Sequence, residues 1–320
     1  MLRLFYLSTL LVLTTSFAQA QTRHAASYLE RGNDYYAKGE MERALADFDI
    51  AITLDPGFAG AFHNRAIARH AKGDIVGALA DLDRAIQLNP RFAAAYVNRG
   101  YLRSLRGELE GVISDSTKAI ELDPRLSEAY NNRGLARGIQ GDVDGAIADF
   151  DRALKLKPRD DAVRRRAKQF NNRGMSRYFK GDLDGAIQDH TAAIKLDPRF
   201  FEAYSDRGAA RQKKGDVDGA LADYTKAIEI NPRAAGAYYN RASVWMAQGD
   251  LQKSVADYTK AVEISPDYAE AYFSRAIVRR DLGNLKEAAA DYDKAIVLNP
   301  RLAEAPAKSP STPSSARSHW

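Results

Sequence analysis

The stretch Ala129–Pro158, AYNNRGLARGIQGDVDGAIADFDRALKLKP, is one helix, a Gly-Asp turn, a second helix and a proline that stops it. Glycine at 141 supplies the positive φ that a helix end favours, and Asp142 is placed to cap the next helix by accepting its free N–H groups. The proline at 158 cannot continue a helix. The unit recurs. Prolines 56, 90, 124 and 158 are 34 residues apart, and so are prolines 198, 232, 266 and 300. Only the gap from Pro158 to Pro198 differs, at 40 residues. A fixed period of this size marks a solenoid, because one helix pair cannot bury its apolar face alone and must stack on the next.

Within each unit the order is an aromatic, Arg-Gly or Arg-Ala three residues on, then Ala-x3-Tyr/Phe, then proline. This pattern resembles the tetratricopeptide repeat and covers residues 25–302. The expected fold is all-α: a right-handed superhelical solenoid of eight tetratricopeptide-like helix-turn-helix repeats. The organisation expected is a signal peptide at 1–20, repeats 1–4 at 21–160, an inserted basic helical extension at 161–166, repeats 5–8 at 167–302 and a disordered tail at 303–320. The turn glycine recurs at 39, 73, 107, 141, 181, 215, 249 and 283; Asp follows it at 74, 142, 182, 216 and 250, and Asn284 is expected to cap similarly. Small residues at 32, 66, 100, 134, 174, 208, 242 and 276 are expected to let the paired helices approach. Where the family often carries leucine, this chain has arginine in every repeat, at 31, 65, 99, 133, 173, 207, 241 and 275. Aspartates at 47, 81, 115, 149, 189, 223, 257 and 291 answer them, which predicts a partly buried ion-pair ladder.

The first twenty residues carry Arg3, an apolar run from Leu4 to Phe17 and Ala18-Gln19-Ala20, small residues at both positions a signal peptidase reads. Cleavage after Ala20 and a periplasmic or secreted location are expected. At 14 residues the run is shorter than the roughly 20 a spanning helix needs, so no stable membrane insertion after cleavage is expected. No cysteine is present, which excludes disulfides, thiolate metal sites and a cysteine nucleophile. A net charge of +5 is too small to indicate a nucleic-acid partner.

Little here could carry chemistry. His63 and His70 share a helix face without a third ligand, His190 fills an aromatic core slot, and there is no phosphate loop. The acidic residues repeat eight times, as structural residues do. The reading is therefore no enzyme and no cofactor, and a protein or peptide partner. In relatives the inner face of the first helix lines a concave groove, and an Asn before the arginine slot bonds the ligand backbone. The resemblance assigns that role to Asn64, Asn98, Asn132, Asn172 and Asn240, with Asp206 and Ser274 as departures. Tyr101, Leu135, Met175, Tyr239 and Phe273 vary between repeats around them and are the expected side-chain pockets. The alternative is an anionic polymer such as a polysaccharide, held by Arg164, Arg165, Arg166 and Lys168. Finally, a ninth repeat opens at Arg301 and is cut by Pro306. That leaves the end near Tyr292 uncapped, a surface through which a homodimer would form.

Overall fold

The computed structural model describes residues 22–156 and 163–304. The expected leader, the start of the expected basic extension at 161 and 162, and the tail from 305 lie outside them. The described residues form sixteen α-helices and a closing 3-10 turn, in two compact units dividing between Gln140 and Gly141. The first unit holds α1 (22–37), α2 (Met41–Leu54), α3 (Ala59–Ala71), α4 (Ile75–Leu88), α5 (Ala93–Leu105), α6 (Leu109–Leu122) and α7 (Ser127–Ile139). The second holds α8 (Val143–Lys155), α9 (Val163–Lys180), α10 (Leu183–Leu196), α11 (Phe201–Lys214), α12 (Val217–Ile230), α13 (Ala235–Ala247), α14 (Leu251–Ile264), α15 (Ala269–Asp281) and α16 (Leu285–Leu298). The turn is Pro300–Glu304. The chain is an all-α solenoid of helix-turn-helix repeats. At 18 residues α9 is the longest, against 16 in α1 and 13 or 14 in the rest, because the inserted residues from Val163 continue its first turn.

The turn glycine has φ between 72° and 91° in all eight repeats, a conformation that side chains with a Cβ rarely adopt. Four caps form as expected: Asp74, Asp142, Asp182 and Asp216 accept from the N–H of Gly77, Gly145, Gly185 and Gly219 at 2.8–3.0 Å. Asp250 reaches Lys253 N–H only at 3.4 Å, and Asn284, contrary to expectation, makes no side-chain cap bond. The third helical position explains the series. A Cβ at Gly77 would stand 2.1 Å from the Asp74 carboxylate, so glycine there lets the cap close, whereas repeats 7 and 8 carry Lys253 and Glu287.

The core is a column of alanines and rings. A Cβ at Gly32, Gly174 or Gly208 would collide with Phe48, His190 or Tyr224 of the same repeat at 2.6–2.8 Å. The small residue thus makes room for the ring, not only for a facing alanine. The same slot then meets the next repeat's first helix: Phe48 packs with Ala68, Leu82 with Leu102, Tyr224 with Val244 and Tyr258 with Val278.

Candidate partner-binding face

The arginine ladder fixes the rotation of every first helix. In the seven repeats that lie wholly inside one unit, the arginine forks onto its aspartate; in repeat 3, Arg99 Nε and Nη2 donate to Asp115 at 2.9 and 2.6 Å. The same guanidinium also reaches back one repeat. Arg65 donates to Asp49, Arg99 to Asp83, Arg173 to Asp151, and Arg207, Arg241 and Arg275 to Thr191, Thr225 and Thr259, at 2.6–3.2 Å. A second arginine one turn on closes the aspartate from the other side: Arg69 on Asp81, Arg103 on Asp115, Arg211 on Asp223 and Arg279 on Asp291, each at 2.8 Å. Hydrogen bonds to Asp115, and more weakly to Asp83, hold the Arg99 guanidinium above its ordinary pKa against the opposing effect of burial. These charges are spent on structure. They form no free stripe.

With the helices so rotated, the residue before each arginine lies along the seam between neighbouring first helices. In the first unit Asn64 Nδ2 donates to Asn33 Oδ1 at 2.7 Å and Asn98 Nδ2 contacts His63 Nε2 at 2.9 Å. His63 Nδ1 lies 2.9 Å from Asn64 Oδ1, so the tautomer with the proton on Nδ1 satisfies both contacts. Burial pushes His63 down despite the opposing bond to Asn64, keeping it neutral. Asn132 Nδ2 continues the seam by donating to the Val97 carbonyl at 3.4 Å. His63 is thus a seam residue. Among the described residues no three His, Asp or Glu side chains converge as metal ligands.

Beside this seam the surface is apolar. Tyr101 and Leu105, one turn apart on α5, are 44% and 50% exposed, and Ile139 on the adjoining α7 is 43% exposed. Leu135 is half-buried next to them, and His70 meets Tyr101 edge-on at 5.5 Å. Leu105 and Ile139 were not singled out from sequence. They occupy one repeat slot, filled by alanine at 37, 71 and 247, and that contrast would have exposed them.

The second unit distributes its expected residues differently. Asn172 is half-buried, and Phe273 stacks its ring 5.9 Å from Tyr292. Met175, Tyr239 and Asn240 are corrected from groove to core, at 6%, 4% and 2% exposed. Tyr239 packs on Tyr258 and Tyr268, and α13 lies between α11 and α15, which close over its seam. The basic run is split between structure and surface. Arg164 lies 3.7 Å from Asp197 and Arg166 stacks over the Phe170 ring, while Arg164, Arg165 and Lys168, three and four residues apart, are exposed on one side of α9.

Comparison with known proteins agrees with this fold. Family models described as tetratricopeptide repeat match residues 127–160, 205–269 and 269–302, and one described as TPR repeat matches 32–73 and 174–215. Together they span well over half the sequence, and the chain belongs to the tetratricopeptide repeat family. No curated protein sequence matched it. Among solved structures it is similar to a tetratricopeptide repeat protein from Parabacteroides merdae, at 19% identity and a TM-score of 0.60, over 83% of this chain and 99% of that one. It is also similar to the Cut9–Hcn1 assembly of APC/C (14%, TM-score 0.63, 85% and 52%). A third likeness is to PilF of Pseudomonas aeruginosa (18%, TM-score 0.58, 67% and 94%). At these identities the likeness is one of fold.

Proposed function

We propose that the protein is a non-enzymatic interaction scaffold that holds an extended segment of a partner protein across α5 and α7. The observation that carries this is the apolar surface of Tyr101, Leu105, Leu135 and Ile139 beside the asparagine seam. A ligand's side chains would bury on the four apolar groups while its backbone exchanges hydrogen bonds with Asn98 and Asn132. Family membership supports the reading, since these repeats serve as protein-interaction surfaces. The sequence at 1–20 supports export, so the partner is an envelope or extracellular protein. Intact mass of the purified native protein should begin at Gln21.

The test is selection from a random peptide library, followed by titration of the best peptides. Tyr101→Asp with Ile139→Asp should abolish binding while the helical circular dichroism stays unchanged, and affinity should vary little with salt. Peptides that bind the double variant equally well would remove this face. Affinity falling steeply with ionic strength, and lost on changing Arg164 and Lys168, would instead favour the anionic-polymer reading.

A further inference from the structure

The slot held by Tyr292 is buried in every other repeat: Phe48, Leu82, Ser116, Phe150, His190, Tyr224 and Tyr258 are at most 1% exposed, because the following first helix covers them. Tyr292 is 39% exposed. Leu285 at the start of α16 is 66% exposed, where the same slot is half-buried in the other repeats. Between them Ala289 replaces the leucine, isoleucine or valine of the other repeats and leaves a dip. Val297, 76% exposed, lies one turn on from Asp293 at the edge of this face, in a slot that is exposed in every repeat and that the others fill with Thr, Gln, Glu or Lys. An exposed apolar face of this composition marks an interaction surface.

One charge says what should cover it. Asp293 occupies the slot of Asp49, Asp83 and Thr259, each of which receives the next repeat's arginine. No hydrogen bond or ion pair involves Asp293 among the described residues. In repeat register the chain's own continuation does not supply that arginine: Pro306 falls in the aromatic slot and Ser309 in the arginine slot. The first helix of a second copy does not fit either. The slot filled by Ala68, Leu102 and Val244 at junctions is Asp34 in α1, and Ala61 is replaced by Ser27, so stacking would bury a carboxylate against Tyr292. We propose that the α16 face docks an arginine-bearing amphipathic helix of a partner protein, seated as a ninth first helix with its guanidinium on Asp293.

The probe is a side-chain-stapled helical peptide copying residues 267–284, the arginine-bearing first helix of repeat 8, titrated into the full chain by fluorescence anisotropy. Saturable binding is expected. Asp293→Arg should weaken it by about fivefold or more, and a peptide carrying Arg275→Asp should recover affinity for that variant. Tyr292→Lys should abolish binding, with the thermal melt of each variant confirming the fold. Absence of saturable binding, or affinity indifferent to Asp293→Arg, would overturn the proposal. So would sedimentation showing self-association that Tyr292→Lys abolishes, which would give the face to a second copy.

Discussion

Asp115 and Asp257 hold the same slot in different company. Asp115 accepts two bonds from Arg99 and one from Arg103; among the described residues Asp257 accepts from Arg241 alone, because Trp245 stands where the second arginine would be. Removing Asp115 strands two guanidinium groups beside a buried site. Asp115→Ala should therefore cost about 3 kcal/mol, and Asp257→Ala less. Arg99→Leu with Asp115→Leu should lie closer to wild type than the single change, in urea unfolding monitored by circular dichroism. A harmless Asp115→Ala would contradict the ladder. Ser116 sits in the ring slot of repeat 3, buried, with no hydrogen-bond partner for its hydroxyl. Ser116→Ala should thus be neutral or stabilising by up to about 1 kcal/mol, read in the same unfolding curves.

His190 gives a pH dependence of known sign. It is fully buried in the aromatic slot, its Nδ1 2.8 Å from Asn171 Oδ1, and burial with the nearby Arg207 pushes it from 6.5 down to about 3. Between those values the unfolded chain binds the proton and the folded chain does not. The contribution to stability is present above pH 6.5 and is lost as pH falls toward 3. Relative to His190→Phe, wild type should lose about 1.4 kcal/mol per pH unit across that window. Parallel pH profiles for the two proteins would contradict the burial of a neutral imidazole. The ring-slot role of His190 was legible in the repeat alignment. Its tie to Asn171, which in turn donates to Asp206 at 2.8 Å, was not, because those partners break the repeat.

At the scale of the element, helix limits and the arginine–aspartate pairing could be read directly, since period, glycine, proline and charge recur at fixed slots. The backward bond from each arginine to the preceding Asp or Thr was hidden. Its acceptor alternates between carboxylate and hydroxyl, so it resembles an ordinary variable surface position. The caps show the same limit: Asp74 and Asn284 look alike until the residue three on is considered. Asp74→Ala should cost about 1 kcal/mol, whereas Asn284→Ala should leave the melt within a few tenths of that unit. Equal losses would mean that the glycine at the third position is irrelevant. Spacing gives the angle of a side chain around its helix but not whether the next helix covers it. That is why Met175, Tyr239 and Asn240 resembled Asn98 and Tyr101 in sequence and are buried in the structure.

For the whole molecule, the repeat explains why function is confined to departures from it. The arginine and aspartate charges of the ladder are paired within and between repeats, and the alanines and rings of the recurring core slots, Tyr292 apart, are buried. Surface chemistry is left to the positions where one repeat differs: Tyr101, Leu105 and Ile139 in the first unit, and Leu285, Tyr292 and Val297 in the second. No helix among the described residues is long and apolar enough to cross a membrane. The claim that the α5–α7 face holds a partner is tested most directly by site-specific photocrosslinking in the native cells. A benzophenone amino acid replaces Tyr101 in one variant and Gln87, exposed on α4, in another. The account predicts a discrete crosslinked adduct at 101 that is absent at 87 and disappears with Ile139→Asp. Equal adducts at both positions, or none at 101, would contradict it.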